Sequence, residues 1–248
     1  MDIRLAGWTL ARLPPQNVRM YLPSHFAEDR PAVLQALIRA YPLATLVWQG
    51  PEGLAAEHLP LEYQPAAGAE AAAGAAAAEA AAGLGVLRGH VARANPVWQL
   101  AAPDQEVLLV FQGPQAYVSP SWYPAKVEHG KVVPTWNYAV VHARGPLQVR
   151  DDPVWVHALV TRLTATHERR FERPWAVADA PADYIAALGR AIVGIEIPIR
   201  SLSGKWKVSQ NRSAGDRAGV RAALAGDPDG QARELARLVP GPSPVTDD

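Results

Sequence analysis

The 248-residue chain contains no cysteine. That absence excludes disulfide frameworks, thiolate zinc sites, iron–sulfur clusters and cysteine nucleophiles together. There is no surplus of either charge, 24 basic residues standing against 24 acidic ones. Domains that hold nucleic acid by bulk electrostatics carry a basic excess, so this balance argues against such a partner while leaving room for a local basic patch. No run of about 20 apolar residues occurs, and no membrane span is expected. The nominal 49% hydrophobic content is inflated by alanine. Familiar catalytic signatures are missing too: no GxGxxG, no Walker P-loop, no HExxH and no Ser-x-x-Lys. No two of the seven histidines stand at the i, i+4 spacing of a helical metal site. No metal ligand and no catalytic residue is assigned.

What is present is a series of strand-like segments. Leu43–Gln49, His58–Tyr63, Val86–Ala92, Val107–Gln112, Ala116–Ser119, Asn137–Val149 and Val193–Ile199 are rich in β-branched and alternating apolar residues. They predict a mainly β fold, a barrel or sandwich, with flanking helices. Helical spacing of Leu34, Leu37, Ile38 and Tyr41 follows Pro31, and Asp152–Pro153 opens a second helix bearing Trp155, Leu159 and Leu163. Further helices are expected near 182–191, 217–225 and 231–238. Residues 1–19 lack periodicity and are read as an extension, with the domain proper starting at Met20 and running to 226. Within it, Pro65–Gly83 is a low-complexity, alanine-rich hairpin insertion that should carry no chemistry. A C-terminal helix and frayed tail occupy 227–248.

Three segments could carry chemistry. In Arg88–Trp98, Arg93 offers a fork of donors suited to a phosphate or, equally, to a carboxylate at a barrel rim. Gly89 permits a close approach of backbone or ligand, and Asn95-Pro96 turns the chain. Tyr117–Lys126 and Val133–Tyr138 interleave aromatic rings with hydroxyls, an amide and a lysine, the mixture a planar ligand with a polar edge requires. Gly204–Arg212 reads as a polar, basic turn before a helix, either cradling an anion at the helix N-terminus or simply solvated and capped by Ser209.

Six of these elements occur in a fixed order: Met20–Phe26 (MYLPSHF), Glu57–Leu61 (EHLPL), Gly89–Pro96 (GHVARANP), Tyr117–Tyr123 (YVSPSWY), Val133–Tyr138 (VPTWNY) and Lys207–Arg212 (KVSQNR). In register, they closely resemble the PaiB-type FMN-binding negative transcriptional regulators over about Met20 to Leu224. The resemblance implies a split β-barrel of the pyridoxamine-phosphate-oxidase-like kind and a cytoplasmic homodimer with FMN at the subunit interface. His90 and Arg93 are then the implied phosphate ligands, with Asn95 supporting the turn. Thr45 and the His58–Leu59–Pro60 run would approach the ring or ribityl chain. Trp122, Tyr123, Trp136 and Tyr138 would form walls, while Lys207, Gln210 and Arg212 would close the site or mark a separate contact surface. DNA is a partner by this resemblance only, since no helix-turn-helix is evident. The alternative is an FMN-dependent oxidoreductase or flavin reductase, for which His58, Tyr123 or Lys126 could donate a proton.

Overall fold

Two antiparallel sheets organise the protein in a computed structural model that describes residues 20–66 and 83–241. The expected extension over 1–19, most of the alanine-rich insertion and the last seven residues lie outside the described residues. The larger sheet has the order β1 (Ala27–Glu28), β10 (Ser201–Lys207), β7 (Thr135–Pro146), β6 (Glu106–Val118), β2 (Leu43–Gly50), β3 (Gly53–Pro60). The smaller runs β4 (Glu62–Gln64), β5 (Val86–Ala92), β9 (Ile192–Pro198), β8 (Gln148–Arg150). Both sheets turn one face to a common core, in which Leu46, Leu109, Phe111 and Val141 of the larger meet Leu87, Ile195 and Ile197 of the smaller. This is the mainly β, α+β split-barrel class expected from the sequence.

The chain passes between the sheets four times, and three of the passages are corners of one design. Pro60 ends β3, Pro146 ends β7 and Pro198 ends β9. A proline brings no N–H to the ladder, so pairing stops there at no cost in a lost donor. Each proline is followed by a buried aliphatic residue: Leu61, Leu147 and Ile199. Their backbone N–H groups are all caught by carbonyls, Leu61 by Pro42 at 2.9 Å, Leu147 by Gln105 at 2.9 Å and Ile199 by Gly85 at 3.0 Å. Two glycines make the corners possible. A Cβ on Gly89 would stand 2.6 Å from Leu61 Cδ2, and one on Gly145 would overlap the Pro198 carbonyl.

These corners explain where the strands differ from expectation. His58–Tyr63 and Asn137–Val149, each read as one strand, are both split, at Leu61 and at Leu147. Conversely, Val107–Gln112 and Ala116–Ser119 are a single strand whose register shifts between Gln112 and Gln115, where Gly113-Pro114 inserts a bulge. The segment read as a basic turn contains β10. Its alternation is visible in hindsight, with Leu202, Gly204 and Trp206 toward the core and Ser203, Lys205 and Lys207 away from it.

Helices cover what the sheets leave open. Helix α1 (Pro31–Ala40) buries Leu34, Leu37 and Ile38. Two single-turn helices, α2 (Val97–Leu100) and α3 (Ala125–Glu128), lie in connections. Helix α4 (Pro153–Glu168) is capped by Asp152, whose Oδ1 accepts from Val154 N at 2.8 Å, and it packs on the small sheet beside α5 (Ala182–Arg190). Helices α6 (Ala214–Ala225) and α7 (Gly230–Ala236) pack on one another, and α7 on β6. Ser213, not Ser209, caps α6.

Under α4 the small sheet carries a buried carboxylate. Glu196 is 6% exposed and accepts from Arg88 Nε at 2.6 Å and from Arg150 Nη2. Burial pushes its pKa up, but the hydrogen bonds from Arg150 and Arg88 outweigh burial and hold it below the ordinary value.

Two outcomes are expected. Leu61→Ala or Leu147→Ala should each lower stability by about 2–5 kcal/mol, measured by urea unfolding, because an aliphatic corner cannot collapse around the lost volume. Glu196 binds protons more weakly folded than unfolded. Its contribution should therefore be complete above the ordinary carboxylate range and fade as pH falls toward its depressed folded value. Unfolding curves of Glu196→Gln at pH 7 and pH 4 should show a smaller loss on acidification than wild type; an unchanged pH slope would contradict this.

Candidate functional site

The outer face of the larger sheet collects polar and aromatic side chains by strand register. His58 on β3, Thr45 on β2, Val110 on β6, His142 on β7 and Ser203 on β10 are successive cross-strand partners. Opposed residues share a face, so these five form one row across the sheet. Farther along, Gln112 pairs Val140, which pairs Lys205; then Gln115 pairs Tyr138, which pairs Lys207; then Tyr117 pairs Trp136. The bulge at Gly113-Pro114 is what turns both Gln112 and Gln115 outward. His58 and Tyr138 are separated by about 14 Å across the strands and about 13 Å along them. A cavity of about 320 Å³ lies on this face, lined by Met20, Val110, Gln112, Gln115, Tyr138 and His142 among others.

The cations of this sheet face come from β10, beside the cavity and not in its lining. Lys205 Nζ donates to the Tyr21 carbonyl at 2.9 Å and stands 5.3 Å and 5.7 Å from the ring centroids of Tyr21 and Tyr138. Lys207 Nζ donates to the Trp136 carbonyl at 2.7 Å and to the Thr135 hydroxyl. Among the described residues neither lysine has a carboxylate partner. Burial, then the neighbouring Lys205 and Arg212 charges, lower the Lys207 pKa. Burial, then Arg144, lower that of His142. Trp136 and Tyr117 meet edge to face with centroids 6.2 Å apart, and the Trp136 indole donates to Gln115 at 3.1 Å.

The residues predicted for a site are therefore only partly brought together. Thr45, His58, Pro60, Trp136, Tyr138 and Lys207 share the outer face of the larger sheet, but Leu59 points the other way, into the core. Tyr123 is also a core residue, 2% exposed, with the Arg212 guanidinium 4.9 Å from its ring centroid. Trp122 packs beside it, and its carbonyl lies against Gly219 of α6. The Gln210 amide is spent locally, accepting from Val208 N at 2.8 Å and donating to the Trp206 carbonyl. Beside it Ser209, at φ +67°, accepts from the buried Asn137 at 2.8 Å.

His90, Arg93 and Asn95 lie elsewhere, on and after β5 of the small sheet. Arg93 takes the carboxylate-paired form: Nη1 and Nη2 donate to Asp151 at 3.0 and 2.6 Å, and Nε to the Arg190 carbonyl at 2.7 Å. Asn95 accepts from Val97 N at 2.9 Å and closes its turn. His90 Nδ1 is buried without a partner, and burial lowers its pKa. Sequence reasoning missed Lys205, Gln112, Gln115 and His142 as companions of Thr45. The period-two alternation of β6, β7 and β10 was the signal that could have found them. Among the described residues no cluster of three or more His, Asp or Glu could hold a metal, and no helix is long and apolar enough to cross a membrane.

The chain is similar to known proteins over much of its length. Residues 20–201 match a family model described as "Putative FMN-binding domain". An uncharacterised protein of Emericella nidulans is 34% identical over 231 residues, 81% of this chain and 88% of that protein. The Bacillus subtilis protease synthase and sporulation protein PAI 2 is 30% identical over 153 residues, covering 62% of this chain and 71% of its own length. Among solved structures, the flavocytochrome Anf3 of Azotobacter vinelandii aligns over 73% of this chain and 69% of its own, at 12% identity and a TM-score of 0.49.

Asn137 is 1% exposed and holds the loop that follows β10. Asn137→Ala should cost about 1–3 kcal/mol in urea unfolding, since it strands the Ser209 hydroxyl; a neutral effect would show that the loop needs no such tie.

Proposed function

The chain belongs to the FMN-binding domain family whose model spans its residues 20–201, and on that premise we propose that it holds FMN on the outer face of the six-stranded sheet. The observation that carries this reading is the pair of buried Lys205 and half-buried Lys207, cations without a carboxylate partner among the described residues, beside Tyr138 and Trp136. A phosphate dianion would relieve their mutual repulsion and accept charge-assisted hydrogen bonds. Val110 and Tyr138 offer flat and apolar surface for the ring system. Thr45, His58, Gln112 and Gln115 offer donors and acceptors for its polar edge and for the ribityl hydroxyls. The donor set therefore fits the group. When bound, FMN supplies reversible hydride and electron transfer.

The same face carries exposed aliphatic surface, with Leu43 62% and Leu54 78% exposed on β2 and β3. A second copy laid on it would bury these residues and exclude water from the flavin, which supports the reading as a homodimer; a cytoplasmic location follows from the family resemblance alone. We read its role as that of a repressor-type transcriptional regulator, following the family resemblance. Direct DNA contact is the weaker half of that role. The overall charge is zero, and Arg217 and Arg233 of α6 and α7 donate to backbone carbonyls. One observation favours an FMN-dependent oxidoreductase instead: His58 and His142 stand in the same row as Thr45, within reach of a ring lying there, and could pass a proton.

Titration with FMN and with riboflavin, which lacks the phosphate, tests the site. Lys207→Ala should weaken FMN about ten- to a hundredfold while changing riboflavin by less than about twofold. Equal losses for both flavins, or none, would contradict the assignment. Loss of FMN affinity in Arg93→Ala instead would move the phosphate to β5. Steady NAD(P)H consumption would favour the oxidoreductase, and a salt-resistant, sequence-selective gel shift the regulator.

A further inference from the structure

A second cavity, of about 680 Å³, opens on the opposite side of the shared core, between α4, α5 and the outer face of the small sheet. Its body is apolar: Val156 and Val160 of α4 and Ile185 and Leu188 of α5 line it, with Trp175 and Val177 at one end. It follows α4 from Pro153 to Thr164, about 16 Å at the helical rise. No residue of α5 is buried, and Leu188 remains 49% exposed and Trp175 43%. The apolar stripe of α5 thus faces a slot that protein atoms do not fill.

The other end of the slot is polar and has one charge left over. Asp151 and Arg93 line it but neutralise one another through two hydrogen bonds. Arg190 also lines it and has no ion pair among the described residues. His90 reaches the same end with its buried Nδ1 unpartnered. That nitrogen has no accessible surface, so it is not presented to a ligand in the slot. A long apolar slot that ends in one unpaired guanidinium is complementary to an amphipathic anion.

We propose that this cavity is a binding site for an amphipathic monocarboxylate, its apolar body between α4 and α5 and its carboxylate at Arg190. The site is independent of the flavin face, because the core separates the two sheets' outer surfaces. A ligand there ties α4 and α5 to the strand pair β5–β9.

Calorimetric titration of the FMN-saturated protein with decanoate, and separately with decylamine, tests this. Decanoate should bind at one per chain and decylamine at least about tenfold more weakly, because the head-group contact is charge-assisted. Val160→Trp, which fills the slot, should abolish decanoate binding. Arg190→Ala, an exposed change that leaves the packing alone, should weaken it at least about fivefold. No heat with decanoate, equal binding of the amine, or undiminished affinity in Arg190→Ala would overturn the proposal. So would displacement of decanoate by FMN, which would make the cavity part of a flavin site.

Discussion

At three points the chain crosses between sheets on a proline followed by a buried aliphatic side chain, and every other feature depends on those crossings. Pro60-Leu61, Pro146-Leu147 and Pro198-Ile199 end one ladder and begin another while driving Leu61, Leu147 and Ile199 into the common core. The captured N–H of each corner residue leaves no buried donor unpaired. The corners also touch the strands they must pass, Leu61 against Gly89 and the Pro198 carbonyl against Gly145. Two short sheets could each slide or splay alone. Tied at these three corners and again through the β5–β6 connection, they have a single register, and that register decides which side chains face outward.

The two outer faces then acquire opposite characters. On the larger sheet, the alternation of β6, β7 and β10 sets amides, aromatic rings and two lysines on one surface, with no acidic partner for Lys205 and Lys207 among the described residues. On the strands of the smaller sheet and at their ends the charges are matched within the fold, Arg190 of the covering α5 being left over. Glu196 sits between Arg88 and Arg150, Glu62 meets Arg162, and Asp151 meets Arg93. An unmatched cationic surface suits an external anion, whereas a matched one is structural. On the proposed reading the flavin phosphate belongs to the larger sheet, and Arg93 is a clamp that pairs Asp151 between the end of β5 and the start of α4.

Much of this was legible in the residues alone. Alternation and turn chemistry located most strands, and Asp152-Pro153 marked the start of α4 to the residue. The strand count pointed to a barrel or sandwich, and the split barrel followed from the family resemblance. What could not be read was the identity of the two sheets. His58–Tyr63 looks continuous because Leu59 and Leu61 alternate with polar neighbours, yet Leu61 is the corner and Tyr63 belongs to the other sheet. The polar cast of SLSGKWK concealed β10, since its inward residues include a glycine that leaves room for Leu34. The candidate site was half legible for the same reason. Motif order grouped His90 and Arg93 with Thr45 and His58, whereas face is a property of register between distant strands. Only the pairing of β2 with β6 and of β6 with β7 brings Thr45 to His142.

The most direct measurement is a crystal structure of the protein grown with FMN. The phosphate should lie within hydrogen-bond distance of Lys207 or Lys205, with the ring on the surface of Val110 and Tyr138 and a second copy closing over it. A flavin found instead between α4 and α5, with its phosphate on His90 and Arg93, would contradict the assignment of the cofactor to the larger sheet.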